Sequence, residues 1–336
     1  MDKRLIHQIG KVFCVICFNV SAFAEGEIAY NPQTGVDEQK PYEPQYSRRS
    51  NYRKKPNIEI NTNFTFSKID YNVVTAANSV LKWRDSSGFG LDLSLAKVTD
   101  YGNKFIASYK NTSLSGGVMS DYDMKNMYPI AGVFSETTKM TGTSKNYSLA
   151  YESAHHTANA SDISWLLGYE YRTLHFNPSD VYQIAYDSTA TNDYGGSQVS
   201  YNSGQSQSTK VSMHGVKLGT SYKAKLSDTN NLIFSTEAFI PISFISQQYN
   251  WGYGNSSGWD SQMKNIGIAG YGLGGKIQNQ VALSSSVWLN LYTFAEITSI
   301  ASSKMTNRIA NISQSNGKTN DIKIYRFGIG TGLTFH

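Results

Sequence analysis

The sequence predicts an all-β protein: a ten-stranded, antiparallel, up-and-down transmembrane β-barrel with long extracellular loops. Three observations carry this expectation. From about residue 57 onward the chain falls into segments in which apolar and polar residues alternate with a period of two, the mark of a strand with two unlike faces. No stretch after the first two dozen residues holds the run of about 18 apolar residues that a membrane helix needs. The connections between segments alternate between short and long, the asymmetry of barrels with periplasmic turns on one side and surface loops on the other.

The first 24 residues read as a secretion signal. Asp2, Lys3 and Arg4 form a charged start, and Val12 to Val20 form a short apolar core. Ala22-Phe23-Ala24 then supplies a small-x-small cleavage site. Cleavage there removes Cys14 and Cys17, the only cysteines. The mature chain is therefore expected to hold no disulfide, no thiol nucleophile and no cysteine metal site. Residues 25–56 follow as a polar, basic extension. They contain Pro32, Pro41, Pro44 and Pro56 and the run Arg48, Arg49, Arg53, Lys54 and Lys55, without periodicity. Such a segment has too little apolar surface to fold alone and reads as a periplasmic extension.

Residues 57–336 are the expected barrel. Strands fall near 57–73, 79–96, 103–118, 142–154, 162–176, 210–226, 230–250, 262–282, 286–302 and 321–335. The last is the clearest. Tyr325, Phe327, Ile329, Thr331, Leu333 and Phe335 alternate with Arg326, Gly328, Gly330, Gly332 and Thr334. Turns near 97–102, 155–161, 227–229 and 283–285 are short; connections near 119–141, 177–209, 251–261 and 303–320 are long. The first hairpin, near 74–78, is the exception. An even strand number places both ends in the periplasm and the long loops at the cell surface. Several segments exceed the 9–11 residues that cross a bilayer at a tilt, so the barrel is expected to rise above the lipid. Pro241, inside the seventh strand, removes a ladder donor and predicts a bulge or a break. Ten strands enclose little space, and the interior is expected to be packed with polar side chains.

Composition agrees without deciding. The chain carries 23 Tyr, 15 Phe, 5 Trp and 28 Gly at a mean hydropathy of −0.39, which a soluble β-sandwich also matches. A sandwich, however, has no reason to sort its loops by length. The formal net charge is +5 over 336 residues, too modest to argue for a nucleic-acid partner.

The sharpest local feature is Gly116-Gly117-Val118-Met119-Ser120-Asp121-Tyr122-Asp123, where the third strand enters the second surface loop. Asp121 and Asp123 have the spacing that turns two carboxylates to one face of a strand. Close like charges split their pKa values, leaving one acid and one base. The same spacing also serves turns, solvated pairs and loose calcium ligands. No Ser/His/Asp set, phosphate-binding loop or zinc spacing accompanies it, so no metal or cofactor is expected.

The Gly-Gly-x-Met-x-Asp-x-Asp stretch resembles the omptins, outer-membrane endopeptidases of Gram-negative bacteria. Ser79-Val80-Leu81-Lys82-Trp83 and the ending from Tyr325 to Phe335 are similar to that family's second and last strands. The resemblance implies that Asp121 and Asp123 help position an attacking water. It also implies an Asp-x-His pair at the top of the seventh strand, where this chain reads Ser246-Gln247-Gln248-Tyr249. No histidine stands between His214 and His336. Parity turns His214 toward lipid, and His155 and His156 fall in a periplasmic turn. This leaves His175 as the replacement base and Asp260 as a displaced carboxylate. Glu170-Tyr171-Arg172 on the fifth strand matches the family's lipopolysaccharide-binding Glu-x-Arg, although parity turns Glu170 and Arg172 inward.

These readings lead to a monomeric outer-membrane surface protein of omptin-like type with a degenerate catalytic site. Its partners are expected to be outer-membrane lipid or lipopolysaccharide and a host or envelope protein or peptide. The alternatives are an active endopeptidase cleaving at basic residues and a small channel.

Overall fold

The computed structural model describes residues 58–75, 80–99, 102–122, 133–156, 161–185, 198–205, 208–249, 260–309 and 312–336. The signal and the extension lie outside the described residues. Fourteen strands make one sheet. They are β1 (Ile58–Thr75), β2 (Val80–Val98), β3 (Lys104–Ser115), β4 (Val118–Tyr122), β5 (Val133–His156), β6 (Ser161–Ala185) and β7 (Gln198–Gln205). The second half holds β8 (Ser208–Ser227), β9 (Asn230–Tyr249), β10 (Ser261–Ile266), β11 (Gly270–Ala282), β12 (Val287–Ile300), β13 (Lys304–Ile309) and β14 (Ile312–Phe335).

Four staves of the barrel are interrupted: β3 continues as β4, β7 leads into β8, β10 into β11, and β12 into β13. The count is therefore ten, every neighbouring pair is antiparallel, and β14 closes on β1 from Ile60↔Phe335 upward. Closure leaves no unpaired edge inside the bilayer, where an open edge would strand its N–H and C=O groups. Among the described residues no helix is long and apolar enough to cross a membrane.

β1 shows how the sequence builds the wall. Ile58, Ile60, Phe64 and Phe66 face outward and are exposed, while Asn61 and Asn63 line the lumen and Thr65 and Ser67 are buried within it. Above Ser67 the faces exchange character. Ile69, Tyr71 and Val73 are fully buried, and the outward positions become Lys68, Asp70 and Asn72. An apolar exterior suits hydrocarbon, and a polar exterior over an apolar interior suits water. The barrel is thus a membrane barrel below and a water-type barrel above. Exposed Trp165, Leu167, Tyr169 and Tyr171 continue the lower belt on β6, as do Phe327 and Ile329 on β14.

This exchange corrects two expectations. Polar side chains dominate the interior only in its lower half. Above, Tyr71, Trp83, Met119, Met140, Phe176, Phe244, Met263 and Ile322 form a buried apolar plug. Its centre is an aromatic group with ring centroids 4.9 Å apart for Tyr71–Trp83, 6.2 Å for Tyr71–Phe176 and 6.3 Å for Trp83–Phe176. The staves also run higher than the periodicity predicts. Residues 133–141, 177–185, 198–205 and 312–320, expected in loops, are strand. Their signal fades because the lipid that enforces outward apolar residues is absent there.

The bulge expected at Pro241 is present. Register in β8–β9 passes from His214↔Ser243 to Gly215↔Pro241, skipping Ile242. On its other side β9 changes partner, from β11 below to β10 above. The freed Pro241 carbonyl accepts from Ala269 N–H at 2.7 Å.

Candidate functional site

The upper site is built where β1, β2, β4, β9 and β10 approach the upper end of the barrel. Beyond the Pro241 bulge, β9 turns Phe244, Ser246 and Gln248 inward, each at most 2% exposed. Ser246 and Gln248 therefore hold the i, i+2 inward pair at the place where the omptin resemblance puts Asp-x-His. Ser246 accepts a hydrogen bond from the Tyr71 hydroxyl at 3.0 Å. It stands in register with Val211 and Met263, and Gln248 with Thr209 and Ser261. Gln248 is buried with no partner for its Nε2. The pair is packed into the plug and offers neither a base nor an open face.

The carboxylates expected opposite are placed in part. Asp121 lies in β4, in register with Leu81 of β2 and Ser135 of β5. Asp123 lies outside the described residues. Asp260 is buried, with its backbone N–H donating to the Gln248 carbonyl at 2.7 Å. His175 falls between the buried, inward Leu174 and Phe176, so strand alternation turns it to the outer wall and removes it as a replacement base. His214 is also outward, its ring 5.8 Å from that of Tyr169. His155 and His156 end β5 at the lower rim, in register with Ile163 and Asp162.

Glu170 and Arg172 are 4% and 9% exposed and point into the lumen. The parity argument describes their position. A lipopolysaccharide role would need them on the outer wall, which β6 instead gives to Tyr169 and Tyr171. They belong to an ion cluster at mid-height. Arg172 Nε donates to Glu170 Oε1 at 2.7 Å and Arg172 Nη1 pairs with Glu296. Lys217 reaches Glu237 at 2.8 Å and Glu170 at 3.5 Å. Asn146 adds a 3.2 Å hydrogen bond to Glu170, and the Arg172 guanidinium lies 4.0 Å from the Phe239 ring centre. Removing one partner from such a cluster strands a charge inside the barrel.

Most of this cluster goes beyond what the Glu170-Tyr171-Arg172 motif announces. Glu237, Lys276 and Glu296 are each the single charge of their strand, and Lys217 and Arg326 stand apart from the charges nearer their strand ends, all at the parity opposite to the lipid-facing residues. That isolated mid-strand charge is the signal that finds them: no charge is tolerated there on the lipid side.

No family model matches the chain, and no curated protein does. Among solved structures, the outer membrane protease OmpT from Escherichia coli is similar with a TM-score of 0.68 at 14% identity, over 84% of this chain and 97% of that one. A FadL homologue from Pseudomonas aeruginosa aligns over 83% of this chain and 90% of that one, at 8% identity and a TM-score of 0.32. The likeness to OmpT is one of fold: both chains make a closed antiparallel β-barrel of the outer-membrane type.

Proposed function

We propose that this chain is an outer-membrane surface protein that keeps an omptin-like barrel, does not cleave peptides, and binds host or envelope molecules at its cell-surface end. The observation that carries this reading is the inward pair Ser246 and Gln248. Peptide hydrolysis by an activated water needs a base within hydrogen-bond reach of that water. A carboxamide takes no proton at neutral pH. The serine hydroxyl is 0% exposed and already bonded to Tyr71. The two residues that stand where the resemblance puts Asp-x-His thus supply no group that takes up a proton.

Binding is the role that remains for the upper barrel. Its outer wall is polar, and its connecting segments are rich in residues that make adaptable contacts. Asp193-Tyr194-Gly195-Gly196 and Asn250-Trp251-Gly252-Tyr253 are examples. Tyrosine and tryptophan bring large contact area at low entropic cost, and Ser, Gly and Asn bring hydrogen bonds.

The test is incubation of the refolded barrel with a fluorogenic dibasic-peptide library, with and without lipopolysaccharide, beside an Asp121→Ala/Asp123→Ala variant. The expected result is no cleavage by either protein, with both shown folded by heat-modifiable gel mobility. Cleavage that the double change abolishes would make this an endopeptidase with an unconventional base and overturn the proposal.

A further inference from the structure

Below the plug, a cavity of about 600 Å³ runs from the lower rim, at Gly102, Ser285 and His336, up to Lys110, Lys276 and Tyr292. A narrower recess of about 90 Å³ continues from there to Arg326 and the ion cluster. The lower rim carries the short turns, so this vestibule faces the periplasm.

The charges around the recess do not pair off. Glu170, Glu237 and Glu296 are all taken by Arg172 and Lys217. Asp92 accepts from the Tyr292 hydroxyl at 3.3 Å. Lys110, Lys276 and Arg326 have no ion-pair partner within 4.0 Å among the described residues. What two of them have instead are rings: Lys276 Nζ lies 5.6 Å from the Tyr292 ring centre, and the Arg326 guanidinium 5.4 Å from that of Phe294. Arg326 Nε is buried without an acceptor. Three cations from three staves converge on one recess whose lining holds five basic side chains against the four carboxylates Asp92, Glu170, Glu237 and Glu296, and the positive charge left over inside a low-dielectric wall is costly.

We propose that Lys110, Lys276 and Arg326 form a binding site for a small oxyanion of the phosphate, sulfate or carboxylate class, entered from the periplasm. The guanidinium fork matches a pair of oxygens, and two ammonium groups supply further donors. A spherical halide would leave most of those donors unused. The plug above makes the vestibule a dead end, suited to holding an anion rather than passing it through.

The experiment is calorimetric titration of the refolded full-length barrel with sodium phosphate and, separately, sodium sulfate, at ionic strength held constant with chloride. The site predicts saturable one-site binding, at least tenfold weaker in Lys276→Gln and in Arg326→Gln. It predicts no change beyond twofold in Lys225→Gln, whose ammonium pairs with Asp228 in a periplasmic turn. Heat-modifiable mobility checks that each variant is folded. If either neutral variant fails to fold, Arg326→Lys, which keeps the charge but loses the fork, is predicted to bind at least threefold more weakly. Absence of saturable binding by the folded wild type, or binding that the folded lumen variants leave unchanged, overturns the site.

Discussion

Gly116 and Gly117 begin the most specific motif in the chain, and the structure gives them a backbone task. Both have left-handed backbone, φ 71° and 90°. They form the break between β3 and β4, opposite Asp85, which also has positive φ at 62°. The Asp85 N–H donates to Asp70 Oδ1 at 2.7 Å, and its carboxylate pairs with Lys68. The inward parity of β2 shifts across this level, from Ser86 and Gly88 below to Trp83 and Leu81 above. The two glycines differ in their space. A Cβ on Gly117 would stand 2.5 Å from the Arg84 carbonyl oxygen, whereas one on Gly116 meets nothing within 4 Å. Gly116→Ala should therefore cost about 1 kcal/mol, the conformational penalty alone, and Gly117→Ala about 3 kcal/mol with the overlap added. Urea unfolding in detergent micelles measures both; equal costs would contradict this account of the break. Half of a motif that resembles a catalytic signature is thus explained by the fold. The side-chain parity of Glu170 and Arg172 was legible from alternation alone. The unpaired state of Lys276 and Arg326 was not, because it depends on which staves meet across the lumen.

Ten staves and the Pro241 bulge follow from local chemistry: a period of two set by lipid, and a missing donor in the ladder. The upper ends of β5, β6 and β14 were not legible. Above the belt water replaces lipid, and the outward positions no longer need to be apolar. The lower part of β14 carries the clearest alternation in the chain, and its end carries a pH-dependent feature. Phe335 keeps the lipid-facing parity of the strand, and the His336 N–H donates to the Ser286 carbonyl at 2.9 Å. Burial holds the His336 imidazole below its ordinary pKa; Glu59 opposes this, and Lys104 and Lys223 add to it. The folded chain therefore takes up the proton less readily than the unfolded chain. The stability contribution is full above about pH 6.5 and declines as the pH falls below it. Lowering the pH from about 7.5 to about 5 should destabilise the wild type more than His336→Asn. Equal losses, read by urea midpoints at each pH, would remove His336 from the account.

At the scale of the whole molecule, the barrel has two storeys with opposite interiors. The period of two predicts the barrel and its polar lumen, but not the plug. Tyr71, Trp83, Phe176 and Phe244 lie on four different staves, and nothing local in any one of them says that they meet. The plug closes the upper storey and confines the large cavity to the lower one. A sealed barrel is silent in a planar bilayer. Trp83→Ala with Phe176→Ala removes the centre of the seal, at a cost of about 3–5 kcal/mol for each truncation. The most direct measurement is single-channel recording of the refolded wild type under voltage, with the double variant alongside. The account predicts a silent wild type and discrete conductance steps in the variant. Steady conductance through the wild type would contradict it, since an open path cannot coexist with the plug.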